Sequence, residues 1–296
     1  MLTMTDALKA VNPVLGELYR VAQGSAPELD LLPTKTISGL QYRRPKLSTG
    51  DSVSGTRTDN AGVVAATAAI GFDSFDLATY TKYLTLDSRV ASGFGDQLAT
   101  MQAEQAAFKT IEQRAEIGSA FYTALLAAAV ANTSGLKKAG AGTTAANTSA
   151  YLVYLGPQGA EAILSKDSLI GDWEQDDITY WDATAEKMKS YPGWKSFIQT
   201  HAAFSLGDAQ GVARVANCDA SAPLTDSLLS DALALLPTVY TADKNNLVIL
   251  VSRRGRSMIQ HSRTTAVNVN VPTPTDFDGY RIMATDSIPN TEAVVA

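Results

Sequence analysis

Trp194–Asp219 reads WKSFIQTHAAFSLGDAQGVARVANCD. Its first half is rich in aromatic and β-branched residues, and its second is a short apolar run, so it predicts two strands, Trp194–Leu206 and Val212–Ala216. They join at Gly207-Asp208, with Gly211 just before the second. Toward the C-terminus the pattern alternates. Leu224–Leu236 has helical spacing and is stopped by Pro237, and Leu247–Val251 (LVILV) is a continuous apolar run fit for a central strand. Ser252–Arg263 predicts a helix, Asn268–Asp278 a proline-containing loop, and Tyr280–Ala284 a last strand. That order predicts a mixed sheet with helices packed on it.

Toward the N-terminus, Tyr151–Leu155 is a buried-strand candidate, 158–190 gives no clear assignment, and 133–149 is a small-residue loop. Residues 95–132 carry the strongest helical signal, with Leu98, Met101, Phe108, Ile111, Gly118, Tyr122, Leu125 and Ala129 marking one face. At 1.5 Å per residue such a helix reaches about 57 Å. A compact globule of this length has a radius of gyration of about 19 Å. Either the subunit is elongated or the helix breaks near Gly118. Residues 34–47 and 68–90 read as strand-rich, and the polar, Gly-rich stretch Ser48–Gly62 lies between them. This predicts a long hairpin, which is not stable by itself in water and must be covered from outside the subunit. Residues 5–22 predict a helix capped by Thr5 and interrupted at Pro13, and Gly24–Pro33 a linker, so the first 33 residues read as an arm.

Composition narrows the function. Of 296 residues, 45% are hydrophobic and 18% charged, with a net charge of −6. The acidic balance argues against tight non-specific DNA binding, which requires clustered positive charge. The longest apolar run, Ala124–Ala131, is too short to span a membrane, and the N-terminus lacks the pattern of a secretory signal. A single cysteine, Cys218, excludes an intrachain disulfide and a Cys-rich zinc site, and with the missing signal it points to the cytosol.

No catalytic constellation emerges. Gly135–Gly140 has the glycine spacing of a phosphate loop, but Ala141 and Gly142 stand where Lys and Ser/Thr are needed. Asp172, Glu174, Asp176 and Asp177 fail the EF-hand pattern and read as a solvated acidic loop. Cys218, His201 and His261 are the sole thiol and imidazoles and have no local signature of a nucleophilic pair. No catalytic, cofactor or metal residue is predicted. The two basic clusters, Arg43, Arg44, Lys46 and Arg57 in the hairpin and Arg253, Arg254 and Arg256 after the LVILV strand, are the candidate subunit-interface residues.

Arm, exposed hairpin, spanning helix and α/β end region together suit an assembly protein. In this order they resemble the major capsid proteins of tailed double-stranded DNA bacteriophages, with the α+β Hong Kong 97-type coat fold. The most specific stretches are Arg214-Val-Ala-Asn-Cys-Asp219 after the aromatic strand, the LVILV strand followed by Ser-Arg-Arg, and the closing Tyr280–Glu292. The resemblance implies an N-terminal arm at 1–33, an E-loop at 34–90, a peripheral domain at 91–216 with its spine helix at 95–132, and an axial domain at 217–296. It further implies self-assembly as pentamers and hexamers into an icosahedral shell around double-stranded DNA, without sequence-specific binding, enzyme activity or a membrane. The chain starts near the arm, so a separate scaffold protein and a portal are expected, with a decoration protein as a further partner. It stops at Ala296, so a differently completed peripheral sheet is expected. No crosslinking is predicted. The rival readings are an encapsulin-like compartment, told apart by its cargo, a cytosolic α/β enzyme, and a tail or decoration protein.

Overall fold

The computed structural model describes residues 3–22, 24, 26–49, 69–93, 98–142, 146–156, 159–184, 186–207, 209–267, 269 and 271–295. Pro13 divides the first helix, as its missing N–H and fixed φ require. Helix α1 is Met4–Val11 and α2 is Pro13–Val21, with Asn12 accepting from the N–H groups of Val14 and Leu15. The cap of α1 is Thr3 rather than Thr5, in a capping box with Asp6. Thr5 instead donates to Asp30 at 2.6 Å. The described part of the first 33 residues does not project. Met4, Leu8, Leu15, Tyr19, Leu29 and Leu32 are buried in the main hydrophobic cluster, because both helices are amphipathic and turn their apolar faces onto the body.

The next strands are β1 (Thr34–Ile37), β2 (Gln41–Thr49), β3 (Ala69–Asp76) and β4 (Ala78–Asp87). Only β2 and β3 form the predicted hairpin, pairing from Gln41↔Asp76 outward. Its flanks enter the body, where β1 pairs parallel with β7 (Ala160–Ser165) and β4 pairs antiparallel with β10 (Lys187–Leu206). Between these strands lie α3 (Ser88–Gly93), α4 (Leu98–Ala131), β5 (Leu136–Lys138), β6 (Thr148–Tyr154), β8 (Leu169–Ile170) and β9 (Glu174–Asp182). The first sheet runs β1-β7-β10-β4, with β8 and β9 also on β10. The unassigned stretch 158–190 therefore supplies three strands and the start of a fourth.

Helix α4 is 34 residues long, about 51 Å at 1.5 Å per residue, and does not break at Gly118. Gly118 marks a close approach: a Cβ there would lie 2.6 Å from both Ala26 Cβ and Ser287 Oγ. The predicted face is right toward the C-terminus, where Gly118, Leu125 and Ala129 are buried, and wrong before it. Phe108 and Ile111 are 59% and 42% exposed, while Thr110, Gln113 and Arg114 are buried. The cause is a polar network. Arg114 donates to Asp30 at 2.9 Å, to Ala26 O at 3.0 Å and to Tyr19 O at 3.3 Å. Tyr19 donates to Gln113 at 2.8 Å.

The chain continues through β11 (Val212–Cys218), α5 (Asp226–Ala234), α6 (Thr238–Thr241), β12 (Leu247–Val251), α7 (Arg253–Val267), β13 (Asp276–Phe277) and β14 (Tyr280–Ala284). The two strands of Trp194–Asp219 part company. β10 lies in the first sheet and β11 in the second, ordered β13-β14-β12-β6-β11-β5. LVILV is central there and wholly buried. Leu152, Val215, Leu229, Ile249, Ile259 and Ile282 build that sheet's own hydrophobic cluster with α5 and α7. β5, β6 and nearly all of β11 precede residue 217, so 217–296 is not a self-contained sheet.

Candidate functional site

The two basic clusters lie on different sheets. At the hairpin root, Arg44 donates to Ser205 Oγ at 2.9 Å. It lies 3.6 Å from Glu161 and 3.7 Å from Asp73, with its guanidinium over the Phe75 ring. Burial raises the carboxyl pKa of Glu161 above the usual range, and Arg44 opposes that shift. Arg44 thus staples the hairpin to β7 and β10 within its own subunit, which differs from the expected contact with a neighbour. Arg43 is exposed and pairs across the strands with Ser74. The backbone of Lys46 pairs with Gly71. Arg57 and most of the tip 48–62 lie outside the described residues.

The second cluster opens α7. Cations in a first helical turn oppose the helix dipole, so each needs its own compensation. Arg253 donates to Asp286 at 2.5 Å and Arg254 to Ala146 O at 2.8 Å, while Arg256 is half-buried. Arg254 also lines an open cleft of about 620 Å³ with Asp219, Met258 and His261. The Ser221 hydroxyl, then the Ala222 amide, hold the Asp219 carboxyl below the usual range, and Arg254 adds to this.

The motif Arg214–Asp219 is a clamp. Arg214 donates to Glu292 at 2.8 Å, and Glu292 also accepts from Tyr122 at 2.7 Å, from Tyr151 at 3.0 Å and from Ser149. Asn217 sits at φ +59°, a left-handed position asparagine tolerates. Its amide donates to Gly140 O at 3.1 Å and Val295 O at 2.9 Å, and accepts from Val295 N at 2.9 Å. Asp219 closes the turn by accepting from Ser221 N and Ala222 N, both at 2.8 Å. Each polar residue of the motif therefore holds backbone or the segment 292–295. Glu292→Gln should leave Arg214 buried without a counter-charge, a loss of about 3 kcal/mol. The expected result is a lower melting temperature and faster amide exchange at 286–295; unchanged exchange there would refute the clamp.

The three reactive side chains fall on β11, β10 and α7 and do not converge. His201 meets Thr79 Oγ1 at 2.9 Å, and His261 is exposed. Cys218 is buried in the second cluster, where desolvation pushes its thiol up to about 12. A raised thiol pKa stabilises the fold below the unfolded value of about 8.5. That contribution is lost as pH rises toward the folded value. Native protein at pH 8 should accordingly react with a thiol reagent at least ~100-fold more slowly than chain unfolded in urea; equal rates would show that the thiol is accessible. Among the described residues no group of three His, Cys, Asp or Glu is placed to hold a metal ion. Asp176 of the acidic stretch pairs with Lys195.

Two surfaces were not singled out from sequence. One is an open groove of about 510 Å³ between β4 and α4, lined by Tyr83, Met101, Glu104, Gln105, Phe108 and Lys109. Met101 and Phe108 belong to the apolar face that the helical spacing marks. The other is the ribbon of β9 and the start of β10, where Trp181 and Met188 are 60% and 62% exposed.

A family model described as "Major capsid protein GP7" matches residues 120–296. Among solved structures, a chain of bacteriophage Epsilon15 is similar with a TM-score of 0.65 at 15% identity, covering 89% of this chain and 88% of that one. A chain of the bacteriophage JBD30 capsid is similar with a TM-score of 0.50 at 12% identity, covering 90% and 92%. No curated protein matches the chain.

Proposed function

The chain belongs to the major capsid protein GP7 family, and from that membership we propose how its parts divide the work of a coat protein. The fold is the Hong Kong 97-type coat fold, and many copies form the shell of a virion. In this reading the β2–β3 hairpin is the E-loop, α4 is the spine of a peripheral domain within 91–216, and 217–296 surrounds the axis of pentamers and hexamers. The segment 1–33 serves as the N-terminal arm while α2 remains docked on α4 and α1 on α2, β1 and β7.

One observation carries the reading. The hairpin strands have 9 and 8 residues, yet no residue of 41–76 belongs to either hydrophobic cluster among the described residues. A two-stranded hairpin without a covered face is marginal in water, so its cover comes from a neighbouring copy. Many such contacts, each weak, hold a shell by multivalency. The shell encloses double-stranded DNA without reading its sequence, and a net charge of −6 limits trapping of the genome on the wall. A separate scaffold protein, a portal and a decoration protein complete the expected partners.

The test is size-exclusion chromatography with negative-stain electron microscopy on the purified chain, alone and with its neighbouring gene products. Closed shells tens of nanometres across are expected, and their contents separate a DNA-filled virion from an encapsulin-like compartment. A monomer or small oligomer at every salt and concentration would overturn the reading.

A further inference from the structure

The ribbon formed by β9 and the first part of β10 pairs without a register shift from Glu174↔Lys195 to Asp182↔Lys187. Side chains of cross-strand partners share a face and alternate along each strand. One face carries Glu174, Asp176, Ile178, Tyr180 and Asp182 on β9, with Lys187, Lys189, Tyr191 and Lys195 on β10. It is largely satisfied within the subunit. Lys189 pairs with Asp182 and Lys195 with Asp176, Tyr180 meets Tyr191 edge-on, and Ile178 is buried over Gly193.

The opposite face carries Gln175 and the half-buried Trp194 at its inner end, then Asp177, Thr179, Trp181, Met188, Ser190 and Pro192, all six exposed. Trp181 and Met188 are direct cross-strand partners, so their side chains form one apolar patch. Trp and Met are enriched, and charges depleted, at the centres of protein interfaces.

We propose that this face is a contact between copies of the chain, and that its occupant is the same face of a second copy. The charge distribution selects that occupant. Every lysine of the ribbon lies on the other face, and this face bears one charge, Asp177. Identical surfaces brought together about a two-fold axis must be self-complementary. The uncharged Trp181–Met188 patch meets that condition, and Lys189 and Lys195 of the other face are already paired with Asp182 and Asp176 within the subunit. The proposal rests on the coat-protein reading, in which the neighbours of each subunit are copies of itself.

The test uses the full chain with its neighbouring gene products and two variants, Trp181→Glu and Trp181→Lys. Both should melt with the wild-type subunit, because the side chain is exposed. Each alone should reduce the yield of closed shells at least tenfold by setting like charges against each other. Mixing the two variants in equal amounts should restore at least half of the wild-type yield. Wild-type yield from either variant alone would overturn the proposal. So would failure of the mixture to assemble, which would assign the face to a different partner. Both results leave the coat-protein reading intact. Absence of shells from the wild-type chain under every condition would instead overturn that reading, and this proposal with it.

Discussion

Deleting residues 48–62 should abolish closed shells while leaving the subunit folded. The hairpin joins the body at its root, through Arg44 to Ser205 and Glu161, and its two strands are closed there by Leu77 N–H donating to Leu40 O at 2.9 Å. The deletion spares this root, which holds the hairpin to the body. Circular dichroism should show a melting temperature within a few degrees of wild type, the range of surface changes that touch no core, cap or ion pair. Assembly depends on reach. An extended chain spans at most about 3.3–3.6 Å per residue, so losing the tip shortens the hairpin's reach to a neighbour by roughly 20 Å. Micrographs should show isolated capsomers or amorphous material. Normal particles would sink the assignment of the hairpin as the E-loop.

Replacement of Arg114 by alanine should cost the subunit about 3–5 kcal/mol, the usual loss when one member of a buried ion pair is removed. Its side chain is fully buried, while that of Asp30 is 23% exposed, which favours the lower end. The substitution removes the guanidinium from the Asp30 carboxylate and from the carbonyls of Ala26 and Tyr19, while the Thr5 hydroxyl stays on Asp30 and the Leu29 N–H on Ala26 O. For a chain of this size the melting temperature should fall by about 5–10 °C. Arg114→Lys should recover little, since a single ammonium cannot serve three diverging acceptors as the planar guanidinium does. The double variant Arg114→Met with Asp30→Leu should lose less than the sum of the single changes, because no charge is stranded. Additive losses would show that the two side chains do not act as a pair. Protease cleavage within 3–30 should rise in Arg114→Ala, since the guanidinium anchors that segment to α4.

Element types were largely legible in the sequence, because the signals are local. LVILV, the helix after it and the break at Pro13 each follow from apolar period or from proline. What was not legible depends on partners distant along the chain. The N-terminal helices read as an arm because nothing local shows that Arg114, about 90 residues on, donates to the carbonyls of Tyr19 and Ala26. Phe108 and Ile111 share a face with Leu125 and Ala129 in the sequence, because helical spacing identifies an apolar face without saying what covers it. In α4 the protein's own core took the polar side, and part of the apolar side was left open. Among the candidate interface residues, Arg44 was recognised as a cation that needs a partner, but not that Glu161 and Ser205 lie beside it in its own subunit. The clamp role of Arg214 and Asn217 was hidden for the same reason, since their partners lie 78 residues away.

Strand β10 has a mechanical consequence. Its 20 residues extend about 66 Å at 3.3 Å each, and one unbroken backbone runs from the exposed ribbon past β4 to β7. Ladder hydrogen bonds lie perpendicular to the strand, so tension applied at the ribbon loads the ten registered pairs with β4 in shear, all at once, rather than peeling them apart one by one. A wall built of such subunits carries stretch along covalent chain and antiparallel ladders, and its stiffness under internal pressure is set by strand direction more than by the softness of side-chain packing.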